Sequence, residues 1–134
     1  MEYGTGAEHD RFMERVVDLD QAAAVIDERA AGLLRAGLEV GRMTWRDEAA
    51  PWPQRFETDR AIVRDPDSVG VLITGPAHTE LSVVLFRGGW ADVDFLAGLD
   101  DAGTLPAFGI ESAAEFGNRL DQWVPRVFGE ILAT

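Results

Sequence analysis

The chain has 134 residues, 46% of them hydrophobic, no cysteine, and a formal net charge of -12 from 24 acidic and 12 basic side chains. That length suits one domain with apolar mass enough for a core. The missing cysteine excludes disulfides, thiolate metal sites, iron–sulfur clusters and cysteine nucleophiles, and the charge opposes binding to nucleic acid or anionic membrane while favouring a basic protein partner.

All 12 basic residues are arginine, which excludes a Schiff-base lysine as well. The longest apolar stretches, Val69–Thr74 and Leu81–Phe86, fall far short of the ~20 residues that cross a bilayer. The first ten residues lack the basic and apolar regions of a secretory signal, so a cytoplasmic protein is expected. Residues 1–13 are polar, contain glycine and show no period, which predicts a flexible arm.

From Asp20 to Arg35 the residues Ala22, Ala23, Ile26, Ala30, Leu33 and Leu34 recur at three- and four-residue spacings. Asp18 or Asp20 stands at the N-cap and Gly37 at the stop, which predicts an amphipathic helix. The run Leu38–Arg46 alternates as a strand does, with Gly41 at a change of phase that predicts a bulge. Pro51-Trp52-Pro53 forces a loop.

Arg60–Arg64 and Val69–Thr74 flank Asp65-Pro66-Asp67-Ser68, whose proline suits a type I turn, so a hairpin is expected there. Gly75–Glu80 connects onward. Gly88-Gly89 suits a two-residue primed turn between Leu81–Arg87 and Trp90–Leu96. With both turns taken so, Ile62, Val71, Val84 and Val93 oppose one another on a core face that Ile73, Phe86 and Phe95 extend. The other face then carries Val63, Leu72, Val83, Leu85, Trp90, Asp92 and Asp94.

Ala97–Ile110 is a glycine-rich connection. Ser112-Ala113-Ala114-Glu115 has the pattern of a capping box, opening a helix whose apolar stripe is Phe116, Leu120, Trp123, Val124, Val127, Phe128 and Ile131. Pro125 predicts a kink, or two short helices meeting near Gln122. The expected fold is therefore α+β: an antiparallel β-meander of four to five strands flanked by an N-terminal and a C-terminal amphipathic helix.

Chemistry is sparse. Trp90-Ala91-Asp92-Val93-Asp94 puts two carboxylates on one strand face about 7 Å apart, a pair that suits a divalent cation or divided acid and base roles. The plainer reading is strand alternation on a wetter face. With Leu85 and Val83 as expected neighbours and Trp90 beside them, the same pair makes an acidic and apolar binding face. His9 and His78 lack metal-type spacing. His78 with Glu80 forms a base-and-orienter pair only if a serine approaches, and Ser82 lies in no nucleophile elbow. Neither Gly4-Thr5-Gly6 nor Gly88-Gly89 opens a helix after a strand, so no nucleotide cradle is expected. No cofactor or metal is called for. Trp123 belongs to the helix stripe, whereas Trp52, between two prolines, is a lid or a contact residue.

The helix Ala23–Leu34, the meander, the Gly88-Gly89-Trp90-Ala91-Asp92-Val93-Asp94 hairpin and the final amphipathic helix together resemble the small immunity proteins of bacterial polymorphic toxin systems. In particular they resemble the group that is similar to TriTu, the antidote of an ADP-ribosyltransferase toxin. The likeness spans about Ala23 to Leu132; the residues before Phe12 and the Pro51-Trp52-Pro53 loop depart from it. What it implies is a bacterial protein that binds and occludes a toxin, with no catalytic group of its own.

Two readings of function therefore stand. One is a non-enzymatic binder that meets a basic toxin domain through Trp90, Asp92, Asp94, Glu80, Trp52 and Leu85. The other is a small enzyme or ligand-binding domain with Asp92 or Asp94 as a base in a pocket under the sheet. They differ in whether the aspartates lie on an open face or line a cavity. A homodimer interface, or cover by residues 1–17, is a third account of the same face.

Overall fold

The structure is a computed structural model that describes residues 14–129. The predicted arm at 1–13, His9 and the stripe's last residue, Ile131, lie outside the described residues. Two helices cover one face of a seven-stranded antiparallel sheet, so the α+β class is as expected and the strand count is higher. No helix among the described residues is long and apolar enough to cross a membrane.

Helix α1 runs Leu19–Arg35. The Asp18 carboxylate accepts from the backbone N–H of Asp20 and Gln21, and Gly37 takes the positive φ of 90° past the helix end. Strands β1 (Glu39–Val40) and β2 (Thr44–Asp47) both pair with β4 (Pro66–Thr74). Val40 lies opposite Ile73 and Thr44 opposite Gly70, so four residue steps on one side match three on the other. That is the bulge expected at Gly41. It turns Val40 and Trp45, five residues apart, to the same core face.

The expected hairpin of Arg60–Arg64 with Val69–Thr74 does not form. Residues Arg60–Ile62 make a 3-10 turn, with the Asp59 side chain accepting from the Ala61 N–H. Asp47 accepts from the N–H groups of Arg64 and Asp65, both at 3.0 Å, which holds the chain out of any ladder. Ile62 is exposed and Val63 is buried, the reverse of the expected faces. The place beside β4 is taken by β2, and β3 (Phe56–Glu57) forms the edge beyond it. Asp67 and Ser68, expected in a turn, are buried strand residues because Arg46 clamps the Asp67 carboxylate through Nε and Nη2 at 2.7–3.1 Å.

Strands β5 (Glu80–Phe86) and β6 (Trp90–Gly98) join through three residues rather than two. Phe86 lies opposite Trp90, the Gly89 N–H returns to the Phe86 carbonyl at 3.0 Å, and Gly89 has φ 99°. This is the three-residue hairpin with glycine in the left-handed position. A side chain there would also meet the Ile110 carbonyl oxygen at 2.8 Å. The extra loop residue slips the pairing by one and exchanges the two faces of β5. Leu81, Val83 and Leu85 are fully buried, opposite Phe95, Val93 and Ala91, while Val84 and Phe86 turn to the other side.

A further strand, β7 (Asp101–Leu105), lies within the stretch expected to be a plain connection. Helix α2 (Ala113–Phe128) follows. Ser112 accepts from the Glu115 N–H, but the Glu115 carboxylate engages Arg119 instead, so half of the capping box is used. The helix runs through Pro125 with no break near Gln122. Proline removes the N–H that would have bonded the Asp121 carbonyl, but it does so in the last turn, just before Gly129 ends the helix at φ 80°, so no helix beyond it is interrupted.

The stripe Phe116, Leu120, Trp123, Val124, Val127 and Phe128 packs with Ala22, Ala23, Ile26 and Leu33 of α1 onto the core face of the sheet. The helices run side by side in the same direction, with Arg29 of α1 holding Asp121 of α2 at 2.8 and 3.0 Å. Gly117 permits the approach, since a Cβ there would meet Arg29 Nη2 at 2.8 Å and Val25 at 3.1 Å.

Candidate functional site: the outer face of the sheet

Both helices sit on one side, and the described residues leave the other side of the sheet uncovered. Cross-strand register lays out its rows: Arg46, Ser68, Phe86 and Trp90; then Thr44, Gly70, Val84 and Asp92; then Leu72, Ser82, Asp94 and Thr104; then Glu39, Thr74, Glu80, Leu96 and Ala102. Gly70 keeps the middle of this surface low. A Cβ there would meet Thr44 Oγ1 at 2.8 Å and Val84 at 3.3 Å, so these two close over it.

The apolar part is a stack. Phe86 and Trp90 lie ring on ring with centroids 5.2 Å apart and planes 17° from parallel, and the Arg46 guanidinium stands 5.8 Å from the Phe86 centroid. Gly88 is part of the same packing, because any Cβ there would run into the Trp90 indole. Leu72 adds a side chain that is 43% exposed.

The charged part is one-signed. Glu39, Glu80, Asp92 and Asp94 are all exposed, and none takes part in an ion pair among the described residues. Arg46, the one arginine that register assigns to this face, grips Asp67. The other salt-bridged arginines, Arg15, Arg29, Arg60, Arg87, Arg119 and Arg126, pair with carboxylates that lie outside these rows. The outcome is a patch of apolar and aromatic side chains bordered by unneutralised carboxylates.

Of the residues expected to form a partner-binding face, Trp90, Asp92, Asp94 and Glu80 share it. Leu85 does not: at 0% exposure it belongs to the core, a consequence of the three-residue turn. The cross-strand neighbours of Asp92 and Asp94 are Val84 and Ser82, not Leu85 and Val83. Trp52 is 77% exposed in the loop between β2 and β3 and holds no register position on this face. Phe86 and Val84 are the members that sequence reasoning assigned to the wrong side. Reading Arg87-Gly88-Gly89 as a three-residue loop would have found them.

Asp92 and Asp94 line neither the cleft between the helices, which Ile26, Leu33, Val71, Ile73, Leu120 and Val124 make apolar, nor the cleft at the helix N-termini. Among the described residues no group of three or more His, Asp or Glu side chains is placed to hold a metal ion. His78 is exposed in a 3-10 turn with φ 61° and makes no hydrogen bond with Glu80 or Ser82 among the described residues.

Beside the face, the half-buried Glu48 carboxylate lies among the buried carboxylates of Asp47 and Asp67. Burial, then the hydrogen bond and charge of Asp67, push the Glu48 carboxyl up to about 7. Burial acts on Asp47 in the same direction, but the N–H groups of Arg64, Asp65 and Ala49 outweigh it and hold its carboxyl below the usual range. These groups bind the β2 end to the loop before β4, so they fix the frame on which Arg46 and the aromatic stack rest.

The fold and this surface define a two-layer α+β protein with helices on one side and an acidic, aromatic sheet face on the other. No protein-family model, curated protein or solved structure matches the chain.

Proposed function

We propose that this chain is a non-catalytic binding protein, and that it serves as an immunity protein: its outer sheet face docks on a basic toxin domain and occludes it. One observation carries the reading. Register places the Phe86–Trp90 stack, Val84 and Leu72 on the same face as Asp92, Asp94 and Glu80, which have no cationic partner among the described residues. Aromatic side chains in a desolvated centre with charge at the rim is the anatomy of a protein interface. A surface of one sign, in a chain of net charge -12, speeds encounter with a basic partner.

The open position of the aspartates favours docking over acid–base work in a pocket, since both carboxylates are exposed on the sheet and line neither cleft. The resemblance of the hairpin to TriTu-like immunity proteins supports the choice of a toxin as partner.

The test is co-expression with the product of the adjacent gene, followed by capture and size measurement. The expected result is a stoichiometric complex that dissociates with rising salt and that Asp92→Ala with Asp94→Ala weakens, while the melting temperature of the free protein stays unchanged. A complex indifferent to both carboxylates and to Trp90→Ala, or recovery of a homodimer built on this face, overturns the reading.

A further inference from the structure

The two helices start at the same end of the molecule, and there they frame a cleft of about 630 Å³ that has no part in the outer sheet face. Its walls include Asp18–Gln21 at the start of α1 and Glu111–Ala113 at the start of α2. Four of the chain's 12 arginines line it: Arg15, Arg60, Arg64 and Arg87.

The carboxylates of the cleft are largely committed. Asp18 caps α1 through the N–H groups of Asp20 and Gln21. Asp20 is held by Arg60 at 2.8 and 2.9 Å. A single oxygen of Asp65 accepts from both Arg15 at 2.7 Å and Arg87 at 2.9 Å. Only Glu111, exposed at the rim, remains against Arg64, which is exposed and holds no ion pair among the described residues.

Arg87 is the unusual member. It is 3% exposed, and among the described residues its side-chain hydrogen bonds run from Nη1 alone, to Asp65 and at 3.4 Å to the Pro66 carbonyl, while its buried Nε has no partner. Withdrawing a guanidinium from water while leaving donors unmade is unfavourable unless something else accepts them. The first turn of α2 adds further donors. Ser112 serves the Glu115 N–H and its carbonyl serves Phe116, which leaves the Ala113 and Ala114 N–H groups at the positive end of the helix with no partner inside it.

We propose that this cleft binds a phosphate group, held by Arg87, Arg64 and Arg15 and by the N-terminal N–H groups of α2. Guanidinium forks and helix N-termini both match the oxygens of a phosphate, and a cleft of this size takes a phosphate-bearing small molecule, not only the anion.

The test is a titration of the full chain, followed by nuclear magnetic resonance, with inorganic phosphate, with adenosine monophosphate and with sodium chloride at matched ionic strength. The Arg87 Nε–H and the Ala113 and Ala114 amides are expected to shift saturably with both phosphates and not with chloride. Tighter binding of the nucleotide assigns an organic phosphate, and equal affinity assigns the free anion. Arg64→Ala, on an exposed side chain, should leave folding intact and weaken binding about tenfold, the loss expected for one charged hydrogen bond. Arg87→Met should abolish binding where it folds. Shifts that chloride reproduces, or an affinity that Arg64→Ala leaves unchanged, overturn the proposal.

Discussion

Truncating Leu85 and Val84, adjacent residues on one strand, tests the register on which the outer face depends. Leu85 has 0% exposure and lies in the core cluster, opposite Val69 and Ala91. Leu85→Ala removes three carbons from a close-packed core and should cost about 2–5 kcal/mol. At about 4 °C per kcal/mol for a domain of this size, the melting temperature should fall by roughly 8–20 °C. Val84 is half-buried on the open side, against Asp92 and Gly70. Val84→Ala should cost less than about 1 kcal/mol, as surface substitutions do. Urea unfolding followed by the fluorescence of the buried Trp45 and Trp123 gives both values, with slopes unchanged if the unfolded states match. A Val84→Ala variant as damaged as Leu85→Ala would refute the three-residue turn and with it the composition of the proposed docking face.

Glu48 gives a pH prediction. Its carboxyl is raised to about 7 in the folded state, so between pH 4.5 and 7 the folded protein holds a proton that the unfolded chain has lost. That contribution is complete below the unfolded value and disappears as pH rises through 7. The upper limit is about 3 kcal/mol, reduced to roughly 1 kcal/mol by solvent screening at its half-buried position. Glu48→Gln should flatten the stability profile from pH 5 to 8, measured by urea midpoints; an unchanged slope would show that another group titrates. Gly89→Ala places a side chain at φ 99° and against the Ile110 carbonyl, and should cost about 1–3 kcal/mol in thermal unfolding. A stable variant would mean that the turn has changed type. In the proposed complex, Asp92→Ala with Asp94→Ala should act on association rate and reduce its salt dependence, read by stopped-flow mixing; unchanged kinetics would place the contact elsewhere.

Local chemistry was legible in the sequence and settled the local structure. Three- and four-residue spacing with Asp18 and Gly37 defined α1, Ser112 and the Phe116–Phe128 stripe defined α2, and Gly41 announced the bulge between Val40 and Trp45. Placement of Trp90, Asp92 and Asp94 on one surface also followed from alternation, because residues two apart on a strand share a side; Glu80 joins them only because β5 turns Val84 and Phe86 to that side. What the sequence could not determine was which side of β5 joins them. Leu81, Val83 and Leu85 are as apolar as Val84 and Phe86, so alternation there is silent and a single loop residue decides. The tertiary structure decided it: a three-residue turn sends the leucines to the helices and leaves Phe86 stacked on Trp90. The same holds for Asp67, which a turn pattern assigns to solvent. Its burial depends on Arg46, 21 residues away, and on β2 taking the place beside β4. Local patterns fixed both helices and the central strands, but neither the 3-10 turn at Arg60–Ile62 nor β7. Only contacts distant in sequence fix strand register, and register is what assembled the face.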